Sequence, residues 1–262
     1  MVKEQLSQTA LSPQQVAFYD AFGFIVLPQV FSHDEMQLIE HDFETVMLED
    51  RDGEPFKGEE RQALCYVIEN RVDFSRLMRR ISDVAEQLLG AGTVCVGTDA
   101  NLFVGDTGWH ADLGWHYSML GGRNPAPSMH FYRGLKVALL LDKVARDSGC
   151  LRVIPTTHIM PNATLDALAP IIGYVPHNYS ADGTIKQFGI PPTDVPCQVI
   201  ESEPGDLLFF GDQVWHGSFG GKTGRRMIAI NYKAKPNTHD EHKYIRDRAK
   251  MQREAQEHHA SS

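Results

Sequence analysis

The first part of the chain carries apolar residues at helical spacing. They recur every three or four positions from Met36 to Val46 and again from Leu77 to Leu88, which is the spacing of one buried helix face. Ser32 and Glu35 stand three residues apart just before the first of these segments and form a capping-box signature. The pattern predicts a helical flank over residues 1–90.

The pattern changes after residue 90 to short apolar runs separated by Gly, Pro and Asp. Runs of four to eight residues between turn signals predict β-strands, and many such strands without intervening helices favour a sandwich or barrel. The predicted fold class is therefore mainly β with flanking N-terminal helices, and the β core covers residues 91–235. The runs are TVCV, ANLFV, LKVALLLD, CLRVIP, CQVI, DLLFF and RMIAINY.

Two segments lie outside the strand pattern. Residues 159–196 show little periodicity, and a long irregular segment inside a compact domain favours a lid over a functional site. A rigid surface excursion and an oligomer interface are the alternatives for that segment. Residues 236–262 are strongly charged and predict a solvated helical tail. The whole chain, 1–262, is interpreted as one domain.

Composition narrows the function classes. The formal net charge of −9 disfavours a nucleic-acid partner, because phosphate binding needs basic surface. The chain has no run of 18 apolar residues and no apolar segment near its start, so neither a membrane span nor a secretory signal is expected. Four dispersed cysteines are typical of a reducing compartment, and the expected location is the cytoplasm. The oligomeric state stays open.

The stretch GWHADLGWH at 108–116 holds the first candidate metal ligands. In a strand, His110 and Asp112 project to the same side. One imidazole and one carboxylate on one side supply two-thirds of the 2-His-1-carboxylate set typical of non-haem Fe(II) oxygenases. The missing histidine is predicted to be His216, in the run PGDLLFFGDQVWHGS.

Other roles for these histidines remain open on the residues alone. His110 could be a core histidine that bonds Asp112. His116 lies outside the alternating pair and is interpreted as structural or pocket-lining. Alternative metal ligands ranked below His216 are His130, His158 and His177.

Two adjacent arginines begin the last predicted strand, GRRMIAINY. An Fe(II) oxygenase commonly uses 2-oxoglutarate, and arginine is the side chain that pairs with a carboxylate through two parallel hydrogen bonds. Because strand residues alternate in direction, only one of Arg225 and Arg226 can point inward. Both could instead be surface residues. Ser218, two residues after His216, could add a hydroxyl to the same carboxylate.

These motifs together resemble the phytanoyl-CoA dioxygenase family of Fe(II)/2-oxoglutarate oxygenases. The resemblance implies a double-stranded β-helix, or cupin-like jelly roll, that holds the metal between its two sheets. It also implies that Fe(II) is bound by His110, Asp112 and His216, and that 2-oxoglutarate is bound by Arg226 and Ser218. The matching pieces, which span most of residues 93–232, are WHAD, LKVALLLD, DSGCLRVIPTTH, PGDLLFF and WHGSFGGKTGRRM. The family's IPGSH stands here as IPTTH.

The resemblance implies a reaction class more readily than a substrate. Halogenating relatives have Gly or Ala at the position of Asp112, so the aspartate here favours hydroxylation or a related oxidation with O2 that converts 2-oxoglutarate to succinate and CO2. The expected substrate is a small polar metabolite or natural-product intermediate. A non-catalytic jelly-roll binding protein and a cupin-type metalloenzyme independent of 2-oxoglutarate are the alternatives. The substrate-contact candidates are Asn101, His116, Tyr117, Arg123, Lys136 and Tyr174.

Overall fold

The structure is a computed structural model, and it describes residues 10–58, 62–66, 68–112, 132–172 and 190–259. Within these residues the chain forms ten strands and five α-helices. The helices are α1 Pro13–Phe22, α2 His33–Asp50, α3 Val72–Leu89, α4 Asn162–Ile172 and α5 His239–His259. The strands are β1 Phe24–Leu27, β2 Gln62–Tyr66, β3 Val94–Phe103, β4 Thr107–His110, β5 Gly134–Leu140, β6 Leu151–Ile154, β7 Gln198–Ile200, β8 Leu207–Gly211, β9 Trp215–Ser218 and β10 Arg225–Lys233.

The strands form two antiparallel sheets that face each other. The large sheet has the order β1-β8-β5-β10-β3-β2 and the small sheet the order β4-β9-β6-β7. Strands that follow one another along the chain often lie in different sheets, which is how a jelly roll is wound. An apolar cluster that includes Val153 of the small sheet and Phe210 of the large sheet fills part of the space between them. The predicted mainly β, jelly-roll fold is confirmed.

The outer face of the large sheet is covered by α2 and α3. Ile228 and Ile230 of β10 belong to the same buried cluster as Phe43 of α2 and Ile81 of α3. Within the described residues, no helix is both long and apolar enough to cross a membrane. The outer face of the large sheet is therefore an ordinary apolar core, and polar chemistry is left to the face that looks toward the small sheet.

The C-terminal helix α5 packs against the large sheet at β3 and β2. Arg248 and Gln252, one helical turn apart, are buried there. Gly97 of β3 makes this approach possible, because a Cβ at that position would lie 1.6 Å from the Gln252 amide nitrogen. The charged tail is helical as predicted, but the expectation that it is solvated is wrong for this face. Long polar side chains can bury the aliphatic part of the side chain, so a helix can pack against a sheet even when its sequence shows no apolar face.

The segment 159–196 is more regular than its sequence pattern indicates. Residues 162–172 form α4, whose Ile172 packs with Trp109 and Trp215 on the outer face of the small sheet. At the other end of the segment, the Pro192 carbonyl accepts a 2.9 Å hydrogen bond from Trp109 Nε1. Both described ends are therefore anchored to the small sheet. Residues 173–189 lie outside the described residues, and the lid remains a prediction.

Gly205 fixes the turn before β8, and we expect its replacement by alanine to destabilise the fold. Its φ is +98°, and an added Cβ would lie 2.5 Å from the backbone oxygen of Phe31. Gly53 has a φ of +82° with open space around it, so it serves as the matched control. Gly53→Ala should cost about 1–2 kcal/mol for the left-handed backbone, and Gly205→Ala about 1–3 kcal/mol more for the clash. Equal losses in urea unfolding would contradict this account.

Candidate metal centre

The pairing of β4 with β9 brings the two predicted histidine ligands together. His110 and His216 are direct Cα partners in this antiparallel pair. Their ring centroids lie 4.2 Å apart. Asp112 follows β4 and projects to the same side, with its Oδ1 3.9 Å from His110 Nε2 and its Oδ2 3.6 Å from His216 Nε2. One ligand atom from each residue lies within 4.8 Å of the others, and all three residues are buried.

Backbone carbonyls orient both imidazoles. His110 Nδ1 lies 2.8 Å from the Gly108 oxygen, and His216 Nδ1 lies 2.9 Å from the Val214 oxygen. A carbonyl can only accept, so each Nδ1 carries the proton and donates it. Each Nε2 then presents its lone pair toward Asp112. This is the arrangement in which histidines bind metal ions, with the second nitrogen held by an outer hydrogen bond.

Burial keeps both imidazoles neutral. Loss of solvation, helped by the neighbouring His216 and opposed by the Asp112 carboxylate, lowers the pKa of His110 to about 3. Burial also lowers the pKa of His216, although the Asp112 carboxylate opposes that shift. Neutral imidazole is the form that binds a metal ion, so the site needs no deprotonation of its histidines near pH 7.

A buried lysine accompanies the Asp112 carboxylate. Lys136 of β5 reaches across from the large sheet, and its Nζ lies 3.0 Å from Asp112 Oδ1. A buried carboxylate is stable only when it is paired or hydrogen-bonded. Lys136, predicted as a substrate contact, thus lies at the metal centre and holds one oxygen of a predicted ligand.

The direction predicted for Arg226 is wrong. Arg226 lies on the outer face of β10, where its guanidinium contacts Asp142 at 2.7 Å and Glu44 at 2.9 Å. It shares that face with Ile228 and Ile230, as alternation requires, but this face packs against the helices. The family resemblance implied Arg226, and the alternation within the strand did not show which side packs against the helices.

Arg225 occupies the inner position instead. It is buried, and its Nη1 donates to Ser218 Oγ at 2.6 Å and to the Gly149 oxygen at 2.7 Å. Among the described residues, no carboxylate oxygen lies within ion-pair distance of this guanidinium. A buried guanidinium stays protonated. The arrangement therefore supplies a buried positive charge that a carboxylate from outside the chain can neutralise.

The other substrate contacts and alternative metal ligands predicted from the sequence lie either in the described part of the chain or outside it. Asn101 lies on the inner face of β3, buried among polar neighbours. His158 is away from the metal centre, since its Nε2 bonds the Asp20 oxygen of α1. The predicted residues that fall outside the described residues are His116, Tyr117, Arg123, Tyr174, His130 and His177.

The structure adds interior charges that the motifs did not indicate. Lys233 at the end of β10 pairs with Asp212, which lies four residues before His216. Asp99 of β3 also faces the space between the sheets. The available signal was the alternation in β3 and β10, where polar residues occupy one side and apolar residues the other. Without the pairing of strands, that signal does not say which polar side faces the metal.

Comparison with known proteins decides the family. The family model for phytanoyl-CoA dioxygenase (PhyH) matches residues 19–228. The chain belongs to the phytanoyl-CoA dioxygenase family of Fe(II)/2-oxoglutarate-dependent oxygenases. An ectoine dioxygenase of Bordetella parapertussis is 26% identical over 233 residues, covering 80% of this chain and 70% of that protein.

Solved structures of related fold agree with this family. EctD from S. alaskensis, crystallised with 2-oxoglutarate and 5-hydroxyectoine, has a TM-score of 0.59 at 24% identity, covering 86% of this chain and 76% of that chain. The 2-oxoglutarate-dependent epimerase SnoN from nogalamycin biosynthesis also has a TM-score of 0.59, at 16% identity, with 84% and 80% covered. Both similarities are similarities of fold.

We expect removal of any ligand side chain of the metal centre to abolish tight Fe(II) binding. His110→Ala, Asp112→Ala and His216→Ala should each weaken binding by more than about 100-fold, because loss of outer hydrogen bonds alone costs 10–100-fold. Anaerobic calorimetric titration with Fe(II) measures the effect. His158→Ala is the matched control and should bind normally. Tight binding retained by His216→Ala would exclude the assignment.

Proposed function

We propose that this member of the phytanoyl-CoA dioxygenase family hydroxylates a small polar metabolite and converts 2-oxoglutarate to succinate and CO2 in the same cycle. The observation that carries the proposal is that one strand directs two residues into the interior, one toward the metal cluster and one toward a buried arginine. Strand β9 presents His216 to the metal cluster and, two residues on, Ser218 to the buried Arg225. A metal centre and a carboxylate anchor thus lie about 7 Å apart along one strand.

The donor set fits Fe(II). Two neutral imidazoles and one carboxylate leave coordination positions open for other ligands. We assign His110, Asp112 and His216 as the residues that hold the ion. Bound Fe(II) supplies the centre at which O2 is activated and 2-oxoglutarate is oxidatively decarboxylated. The chain's own contribution is orientation: the carbonyls of Gly108 and Val214 fix the imidazoles, and Lys136 fixes the carboxylate.

Arg225 is the proposed anchor of 2-oxoglutarate. Its guanidinium is buried, and in the described part of the chain its neighbours are neutral oxygens rather than carboxylates. Phe103 covers it, with the guanidinium carbon 5.2 Å from the ring centre. A carboxylate held in such a low-dielectric site forms strong charge-assisted hydrogen bonds. Ser218 supplies the adjoining hydroxyl, as expected from the sequence.

A small polar substrate suits the interior surface. Around Lys136 the inner face of the large sheet is polar, with Asn231 beside it on β10 and Asn101 beyond on β3. Relatives at 24–26% identity are named ectoine dioxygenases, and ectoine is a small polar molecule. We propose that the substrate of this protein is also small and polar, and we do not propose that it is ectoine. The segment 159–196 stays a proposed lid, and its residues 173–189 lie outside the described part of the chain.

The anchor assignment predicts a sharp difference between adjacent arginines. Arg225→Ala should weaken 2-oxoglutarate binding by about 2–5 kcal/mol, or about 30-fold or more, because a desolvated charge pair is lost. Arg225→Lys keeps the charge without the planar fork and should lie in between. Arg226→Ala should bind 2-oxoglutarate normally and lose thermal stability, since it breaks the contacts to Asp142 and Glu44. Anaerobic titration of the Fe(II) enzyme gives the dissociation constants. Loss of binding in Arg226→Ala alone would overturn the assignment.

The reaction itself is tested by succinate formation. The Fe(II) enzyme supplied with 2-oxoglutarate and O2 should form succinate slowly, and a library of small metabolites should contain compounds that accelerate it. His216→Ala should form none beyond the no-enzyme rate, because Fe(II) is lost. Omission of 2-oxoglutarate is the second control. Substrate oxidation that persists without 2-oxoglutarate would favour a cupin-type enzyme, and tight ligand binding without succinate would favour a binding protein.

A further inference from the structure

We infer that Asp99 forms the cation-binding end of the substrate pocket, and that the substrate carries a protonated nitrogen. This inference rests on the proposed function, since it concerns the substrate of the same metal centre. Asp99 lies on β3 and pairs with Ala229 of β10. Ala229 is on the inner face, opposite to Ile228 and Ile230, so Asp99 also projects between the two sheets. A carboxylate in that position faces the space beside the iron ligands.

The Asp99 carboxylate is held by two neutral amides. Asn101 Nδ2 donates to Oδ2 at 3.1 Å, and Asn231 Nδ2 donates to Oδ1 at 3.3 Å. Both asparagines are themselves buried, whereas Asp99 keeps part of its surface accessible. The amides fix the direction of the carboxylate and leave further acceptor positions unused, because an ionised carboxylate has about four. Asp99 is thus fixed in direction while part of its surface stays accessible.

The lysines of this interior face form their ion pairs with other carboxylates. Lys136 contacts Asp112, and Lys233 pairs with Asp212. Within the described part of the chain, the ion pairs formed by lysine, arginine and histidine do not include one to Asp99. Arg248 of the C-terminal helix is near enough to act on Asp99 electrostatically, but the hydrogen-bond partners of the carboxylate are the two amides. Within the described residues, Asp99 is therefore a partly buried carboxylate that forms no ion pair with lysine, arginine or histidine.

The energetic state of Asp99 agrees with a missing cation. Burial raises the pKa of Asp99, and the charge of Lys136, which forms its ion pair with Asp112, is the largest influence that opposes the shift. A buried carboxylate gains most from a cation that brings its own hydrogen-bond donors. Protonated amines, amidines and guanidinium groups meet that requirement. A neutral isostere offers weaker donors and an anion is repelled, so Asp99 selects for charge.

Fragment binding measures this selection directly. The probes are n-butylammonium and N-methylguanidinium, compared with n-butanol and N-methylurea, titrated into the anaerobic Fe(II)–2-oxoglutarate enzyme by ligand-observed NMR. Wild type should bind each cation about tenfold or more tightly than its neutral partner. Asp99→Asn should abolish that preference, and Asp99→Glu should restore part of it. Asp52→Asn is the matched control: it removes one exposed charge at a turn and should leave the preference intact.

The outcomes separate this inference from the proposed function. Asp99→Asn should keep Fe(II) binding and 2-oxoglutarate binding, because Asp99 lies outside those contacts. In the metabolite library, the compounds that accelerate succinate formation should carry a protonated nitrogen at pH 7, and Asp99→Asn should respond to them at least about tenfold less. Equal affinity of wild type for cations and neutral partners, a cation preference retained in Asp99→Asn, or acceleration by neutral or anionic compounds alone would overturn the inference. Loss of succinate formation in wild type would instead overturn the proposed function.

Discussion

The direct pairing of His110 with His216 across β4 and β9 is the constraint on which the site depends. It places two imidazole rings 4.2 Å apart in a buried space, where an unpaired polar group costs free energy. Two local features offset that cost: each Nδ1 donates to a carbonyl two residues earlier in its own chain segment. The strands thus carry both the ligand and the group that orients it. Only the carboxylate needs help from another sheet, which Lys136 gives.

Strand β10 shows how one segment serves two environments. Its outer residues pack under the helices, and Arg226 at its start extends that side with ion pairs to α2. Its inner side carries Arg225, Asn231 and Lys233, each engaged in the interior between the sheets. Because side chains alternate strictly, a shift of one residue in register would exchange the two sides. The apolar outer face therefore fixes the direction of the polar inner one.

The short apolar runs predicted a sandwich or barrel, the family resemblance implied the jelly roll, and the metal cluster was predicted because its ligands leave local signals. His110 and Asp112 are two residues apart, and His216 lies in a segment that matches a family motif. The side of Arg225 was missed because parity relates residues within a strand but does not say which side meets the helices. Asp99 and the buried face of α5 were missed for a similar reason. Their roles come from contacts between residues more than a hundred positions apart, such as Gly97 with Gln252.

An ion pair beside α5 connects the C-terminal helix to the metal centre. Lys233 pairs with Asp212, and its ammonium lies 5.5 Å and 5.2 Å from the ring centres of Tyr132 and Tyr244. Asp212 belongs to the turn between β8 and β9, which also contains the Val214 carbonyl that orients His216. Through Tyr244, α5 therefore contacts the ion pair of the turn that orients His216. One face of the charged tail thus supports the site, while most of its other described residues are exposed or half-buried.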